Sequence, residues 1–130
     1  MRALSLAVVG SQYENKRGPT RRFAIEACSP GDPIELRSEP KNPADPYAVA
    51  VFDAAGVQMG YLTAERAPWI GGMILDGREI AAVFQHSTSW GAVIRVAFDG
   101  EVPLLEGLST AERRAPEEPD FYPDEIYPDD

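Results

Sequence analysis

Apolar and polar positions alternate with a period of two through most of the first hundred residues, in short runs broken by Gly, Pro, Asn and Asp. Alternation bounded by turn residues predicts half-buried β-strands. The runs fall at residues 3–10, 21–28, 33–37, 47–53, 57–62, 78–86 and 91–98. In the first, Leu4, Leu6 and Val8 alternate with Ala3, Ser5 and Ala7. "DAAG" between Phe52 and Val57, and "HSTSWG" between Gln85 and Ala92, have the composition of hairpin turns. Short strands at this spacing predict a mainly β protein, built as a small barrel or sandwich. No internal repeat is visible.

One segment leaves the two-residue period. "TAERAPWIGGMILDG" begins with Thr63 as an N-cap and puts Glu65 in the first turn, where a helix dipole favours an acid. Ala67, Ile70 and Ile74, with Trp69 and Met73 beside them, form a helical stripe that predicts a short helix packed on the barrel, with Trp69 and Met73 in the core. A second short helix is expected at "LSTAER", where Ser109 and Glu112 have capping-box spacing.

Charge divides the chain. Of 21 acids and 12 bases, ten Asp or Glu and two Arg fall in residues 101–130, leaving eleven acids and ten bases for residues 1–100. The body is therefore almost neutral, and nearly all of the formal net charge of −9 belongs to the C-terminal end. "APEEPDFYPDEIYPDD" holds four prolines, seven acids and no base, a composition expected to be disordered or loosely draped. A barrel domain is expected over residues 1–109 and an acidic, Pro-rich tail over 110–130. Phe121, Tyr122, Ile126 and Tyr127 are unusual in a solubilising tail and suggest a docking motif for a nuclease or helicase partner.

Catalytic signatures are missing. No phosphate-binding Gly-rich loop, nucleophile elbow or metal-spaced cluster is present. With one cysteine, Cys28, and one histidine, His86, neither a disulfide nor a structural zinc site is expected. Cys28 reads as a small buried hydrophobe and His86 as a hairpin-end residue. No apolar run reaches the roughly 18 residues of a membrane span. The expectation is a cytoplasmic binding module without enzymatic activity, metal or cofactor.

The segment "EPKNPADPYAVAVF" is the most informative. Pro40, Pro43 and Pro46 each remove a backbone donor and fix φ. Asn42 and Asp45 each precede a proline, and their side chains can cap nearby amides. The result is a stiff loop directly before a strand. Two readings stay open: that Asn42 and Asp45 fold the loop onto itself, or that they contact a ligand. Tyr47 alternates with Val49 and Val51 and is expected in the core.

Three blocks occur in order: "VVGSQY" (Val8 to Tyr13), "PGDPIELRSEPKNPADPYAVAVF" (Pro30 to Phe52) and "GVQMGYLTAERA" (Gly56 to Ala67). Together they resemble the HIRAN domain, over about residues 5–100. The resemblance implies an OB- or SH3-like small β-barrel that binds single-stranded DNA, especially a free 3′ end. It places Tyr13 and Tyr61 at base-facing positions and Trp90 near a third aromatic. It implies Asn42 and Asp45 in the loop motif, with Asp45 accepting from a terminal 3′ hydroxyl. Lys41, Arg66, Lys16, Arg17, Arg21 and Arg22 are candidate phosphate contacts. The chain departs from the family pattern at Ala44, where an aromatic is usual. It departs also at Gln12, where DNA-binding members carry a base, and at Lys41 in place of a second Asn. The alternative implied function is a protein-interaction module on the same scaffold.

Overall fold

The structure is a computed structural model and describes residues 3–106. The acidic tail, the boundary expected at residue 109 and the Ser109–Glu112 capping box lie outside the described residues. Six strands, β1 (Leu4–Val9), β2 (Pro33–Ser38), β3 (Val49–Phe52), β4 (Gln58–Leu62), β5 (Ile80–Ser87) and β6 (Ala92–Phe98), close a barrel in the order β1-β4-β3-β2-β5-β6. Every pairing is antiparallel. The expected small β-barrel is thus present. Its interior is filled by inward-facing positions, among them Leu6, Val8, Val49, Val51, Met59, Ile94, Val96 and Phe98.

Both expected hairpins form. In the β3–β4 turn, Asp53 Oδ1 accepts from Ala55 N at 2.9 Å and Val57 N at 2.8 Å, while Gly56 takes φ +85°. The β5–β6 turn is closed by Thr88 N donating to Gly91 O at 2.9 Å. A register shift between Phe84 and His86 sets His86 opposite Val93, at the hairpin end of β5.

Residues 21–28 are not a strand. Arg21–Ala27 form a helix, α1, that packs against β4. Phe23 and Ile25 mimic two-residue alternation, but the local chemistry is helical. Thr20 Oγ1 accepts from Phe23 N at 3.0 Å as a side-chain N-cap, and Arg22 pairs with Glu26 four residues on at 3.1 Å. Arg21, Ala24 and Ile25 make the buried face, while Phe23 is exposed.

The second helix, α2, spans Ala67–Leu75 and packs against β2 and β3. It starts one turn later than Thr63 suggested. Thr63 O accepts from Arg66 N and Ala67 N, so Thr63 and Glu65 belong to a lead-in turn, and Pro68 occupies the first helical turn. Ala67, Ile70 and Met73 are buried as expected, and Ile74 is half-buried against the core. Trp69 is 38 % exposed, with its ring centroid 5.8 Å from that of Phe98. Tyr47 is 63 % exposed because β3 begins only at Val49, so the alternation that pointed it inward does not reach it.

Candidate functional site

Two loops meet over the outer face of β3 and β4. One runs from Gly10 to Pro19, between β1 and α1. The other runs from Glu39 to Tyr47, between β2 and β3. A chain of polar contacts, most of them half-buried, fastens them together. Asn42 Nδ2 donates to Glu39 Oε1 at 2.9 Å, and Tyr61 Oη donates to the same oxygen at 2.9 Å. The Arg21 guanidinium lies 5.6 Å from the Tyr61 ring centroid and donates to Gly10 O at 3.0 Å and Asn15 Oδ1 at 2.9 Å. Asn15 Nδ2 then reaches Gln58 O at 3.0 Å and Pro19 O at 3.1 Å.

This chain reassigns several residues. Arg21 is 1 % exposed, so it braces the first loop from inside and is not a surface phosphate contact. Tyr61 is also 1 % exposed, and its ring packs with Ala44, Ala48 and Ala50, which leaves no face for a base. Burial, opposed by the Gln58 side chain and reinforced by the Glu39 carboxylate, pushes the Tyr61 phenol well above its usual pKa. It stays a neutral donor at physiological pH. Asn42 is 8 % exposed, and its Oδ1 accepts from Ala44 N at 2.8 Å and Asp45 N at 3.1 Å. Of the two readings left open for Asn42, the structure has it folding the loop onto itself.

The remaining nominated residues face outward to different degrees. Gln12 is exposed and Tyr13 half-buried, with Tyr13 N donating to Gly10 O at 3.2 Å in a tight turn. Lys41 is exposed. Asp45 is half-buried; its Oδ1 accepts from Tyr47 N at 2.8 Å, which fixes the direction of the carboxylate. Trp90 is half-buried beside the first loop, since Ser11 Oγ donates to Trp90 O at 3.3 Å. Arg22 reaches the same hairpin through Gly91 O at 3.4 Å. Gln12, Tyr13, Arg22 and Trp90 therefore gather around the exit of β1, while Lys41 and Asp45 sit on the second loop. Arg66 is exposed at the start of α2, and no side-chain hydrogen bond or ion pair joins it to the others among the described residues.

Glu39 and Asn15, which bind the two loops into one body, were not singled out by the sequence. Glu39 acts on Tyr61 from 22 positions away and Asn15 on Gln58 from 43. A local pattern carries no trace of such pairings. The half-buried Cys28 thiol is pushed up to about 11, chiefly by burial and further by Asp53 and Asp32, so it is not an activated nucleophile. Among the described residues no group of three or more His, Cys, Asp or Glu stands ready for a metal ion, and no helix is long and apolar enough to cross a membrane.

Comparison with known proteins gives the fold a lineage. The family model of the HIRAN domain matches residues 1–89. That span includes β1 to β5 and both loops, and stops just short of Trp90 and β6. The chain is similar to the crystal structure of the HIRAN domain of human HLTF, at 21 % identity and a TM-score of 0.60, covering 74 % of each chain. It is also similar to a Lactobacillus plantarum protein solved by structural genomics, at 16 % identity and a TM-score of 0.63, covering 72 % of this chain and 90 % of that one. No curated protein matches it significantly in sequence. Matched by the family model over more than half its length, the chain belongs to the HIRAN domain family, a family of nucleic-acid-binding modules.

Proposed function

We propose that this chain is a DNA-binding module that receives single-stranded DNA, and in particular a free 3′ end, between the β1 exit and the Asn42–Asp45 loop. Processing of DNA ends in repair or at replication forks is the setting this suits. The observation that carries the reading is the Asn42–Glu39–Tyr61–Arg21–Gly10 chain of contacts. It holds two loops as one rigid rim, and a rigid rim loses little entropy on binding.

Tyr13 and Trp90 supply aromatic faces near the β1 exit, where stacking contributes about 1–3 kcal/mol per base. Lys41 and Arg22 supply charge-assisted contacts to phosphate. Asp45 supplies a carboxylate whose lone pairs can accept from a 3′ hydroxyl alongside the Tyr47 amide. The seven acids of residues 115–130 compete with DNA for the basic groups of a nearly neutral body.

Fluorescence anisotropy with a 3′-tailed and a blunt oligonucleotide tests this, using the full chain and a version ending at residue 114. The tailed oligonucleotide is expected to bind more tightly, and the shortened chain more tightly still. Absence of binding by both forms overturns the proposal. The aromatic residues of "DFYPDEIYPDD" favour one alternative, a protein-interaction module. Co-purification of a partner that depends on Phe121 or Tyr127, without any DNA affinity, would establish it.

A further inference from the structure

A separate pocket of about 550 Å³ opens between the Asn15–Pro19 segment, β2 and the β3–β4 hairpin. Tyr13, Asn42 and Asp45 take no part in its lining. Its volume lies in the range of small-molecule sites. Its walls differ from those of an ordinary surface dent in three ways.

One wall is a fixed planar cation. The Arg37 guanidinium carbon sits 4.0 Å over the Phe52 ring centroid. Its edge is held by Glu35, with Nε donating to Oε2 at 2.8 Å and Nη2 to Oε1 at 3.1 Å. One face and one edge are thus occupied, yet the side chain remains 48 % exposed. A guanidinium locked in this way offers its other face as a stacking platform for a nucleobase.

The lining also includes Lys16 and Arg17, both exposed and without an acidic partner among the described residues. The third element is Glu39, whose Oε1 is occupied by Asn42 and Tyr61 while the residue still lines the pocket. A carboxylate there repels phosphate but accepts from an amino group on a base edge. The lining therefore offers two exposed cations, a flat guanidinium wall and a carboxylate.

We propose that this pocket receives one nucleotide of a bound single strand, with the base on Arg37, its amino edge toward Glu39 and a phosphate between Lys16 and Arg17. The assignment rests on the DNA-binding reading above and adds a second contact point to it. It also adds a preference: cytosine or adenine, which carry exocyclic amino groups, over thymine.

The test uses the full-length protein with labelled dC12 and dT12. Arg37→Lys keeps the charge and removes the plane; Lys16→Gln with Arg17→Gln removes the phosphate contacts. Wild type is expected to favour dC12. Arg37→Lys is expected to weaken dC12 binding roughly 5- to 150-fold, the loss of one stacked base, and to narrow the preference. The double variant is expected to lower the salt dependence of log K by about 0.7, the loss of one phosphate contact to a single strand. Melting temperatures are expected to match wild type, because all three side chains are exposed. If wild type binds DNA and neither variant changes affinity, salt slope or preference, the pocket assignment falls and the DNA-binding reading stands. A weakened affinity that tracks a lowered melting temperature likewise overturns the pocket alone. If wild type binds neither oligonucleotide, both fall.

Discussion

The Tyr61 hydroxyl donates to the Glu39 carboxylate at 2.9 Å from a ring that is 1 % exposed. The bond crosses from β4 to the loop after β2 and makes the tyrosine an internal strut. Tyr61→Phe keeps the ring and removes the bond, leaving Glu39 with Asn42. A loss of about 1.5–3 kcal/mol is expected in urea unfolding, typical of a hydrogen bond to a charged group. Unchanged stability would show that the strut contributes nothing.

Asn42 and Asp45 are expected to separate. The Asn42 side chain makes three hydrogen bonds within the loop and is nearly fully buried. Asn42→Ala leaves the Ala44 and Asp45 amides unpaired and is expected to cost about 2–3 kcal/mol. Asp45 is half-buried, and Asp45→Ala is expected to cost about 1 kcal/mol or less while weakening 3′-end binding. Paired denaturation and anisotropy measurements check the contrast.

The neighbours Arg21 and Arg22 are likewise expected to differ. Arg21→Leu removes contacts to Gly10, Asn15 and the Tyr61 ring from a buried position and is expected to cost about 2–4 kcal/mol. Arg22 forms a largely exposed pair with Glu26, and Arg22→Ala is expected to cost at most about 1 kcal/mol. Chemical denaturation of the two variants decides it.

Gly60 and Gly91 lie where strands approach closely. A Cβ at Gly60 would overlap the Val9 carbonyl oxygen, and one at Gly91 the Val8 carbonyl oxygen. Backbone cannot yield as a flexible side chain does, so Gly60→Ala and Gly91→Ala are each expected to cost about 3 kcal/mol or more. Soluble expression and melting temperature are the readouts.

Alkaline pH is expected to weaken the fold through Cys28. Its thiol moves from 9.0 to about 11 on folding, first through burial and then through Asp53 and Asp32. The unfolded thiol releases its proton before the folded one does. The contribution is fully present below pH 9 and is lost as pH rises through about 11. The raised Tyr61 phenol acts in the same direction once pH exceeds the unfolded value of 10.0. Urea titrations between pH 8 and 11 are expected to show this decline, with a smaller decline for Cys28→Ala.

Six of the seven predicted strand runs became strands because their alternation reflects a physical division between barrel interior and exterior that each strand carries in itself. Residues 21–28 failed because Phe23 and Ile25 copied that rhythm inside a helix capped by Thr20. Tyr47 failed because alternation says nothing about where a strand begins. The Asn-Pro loop was legible as stiff, since proline acts on its own backbone whatever surrounds it.

The roles of Arg21 and Tyr61 could not be read the same way. Residue type and motif position named both as contacts, and each is chemically suited to be one. Barrel closure buries them and supplies partners far along the chain, Glu39 to Tyr61 and Gly10 to Arg21. Strand pattern, turns and loop stiffness depend on neighbours in sequence and were present in the chain from the start. Which polar group faces solvent and which becomes a strut depends on what the closed barrel brings against it, because a buried donor or acceptor must find its partner there.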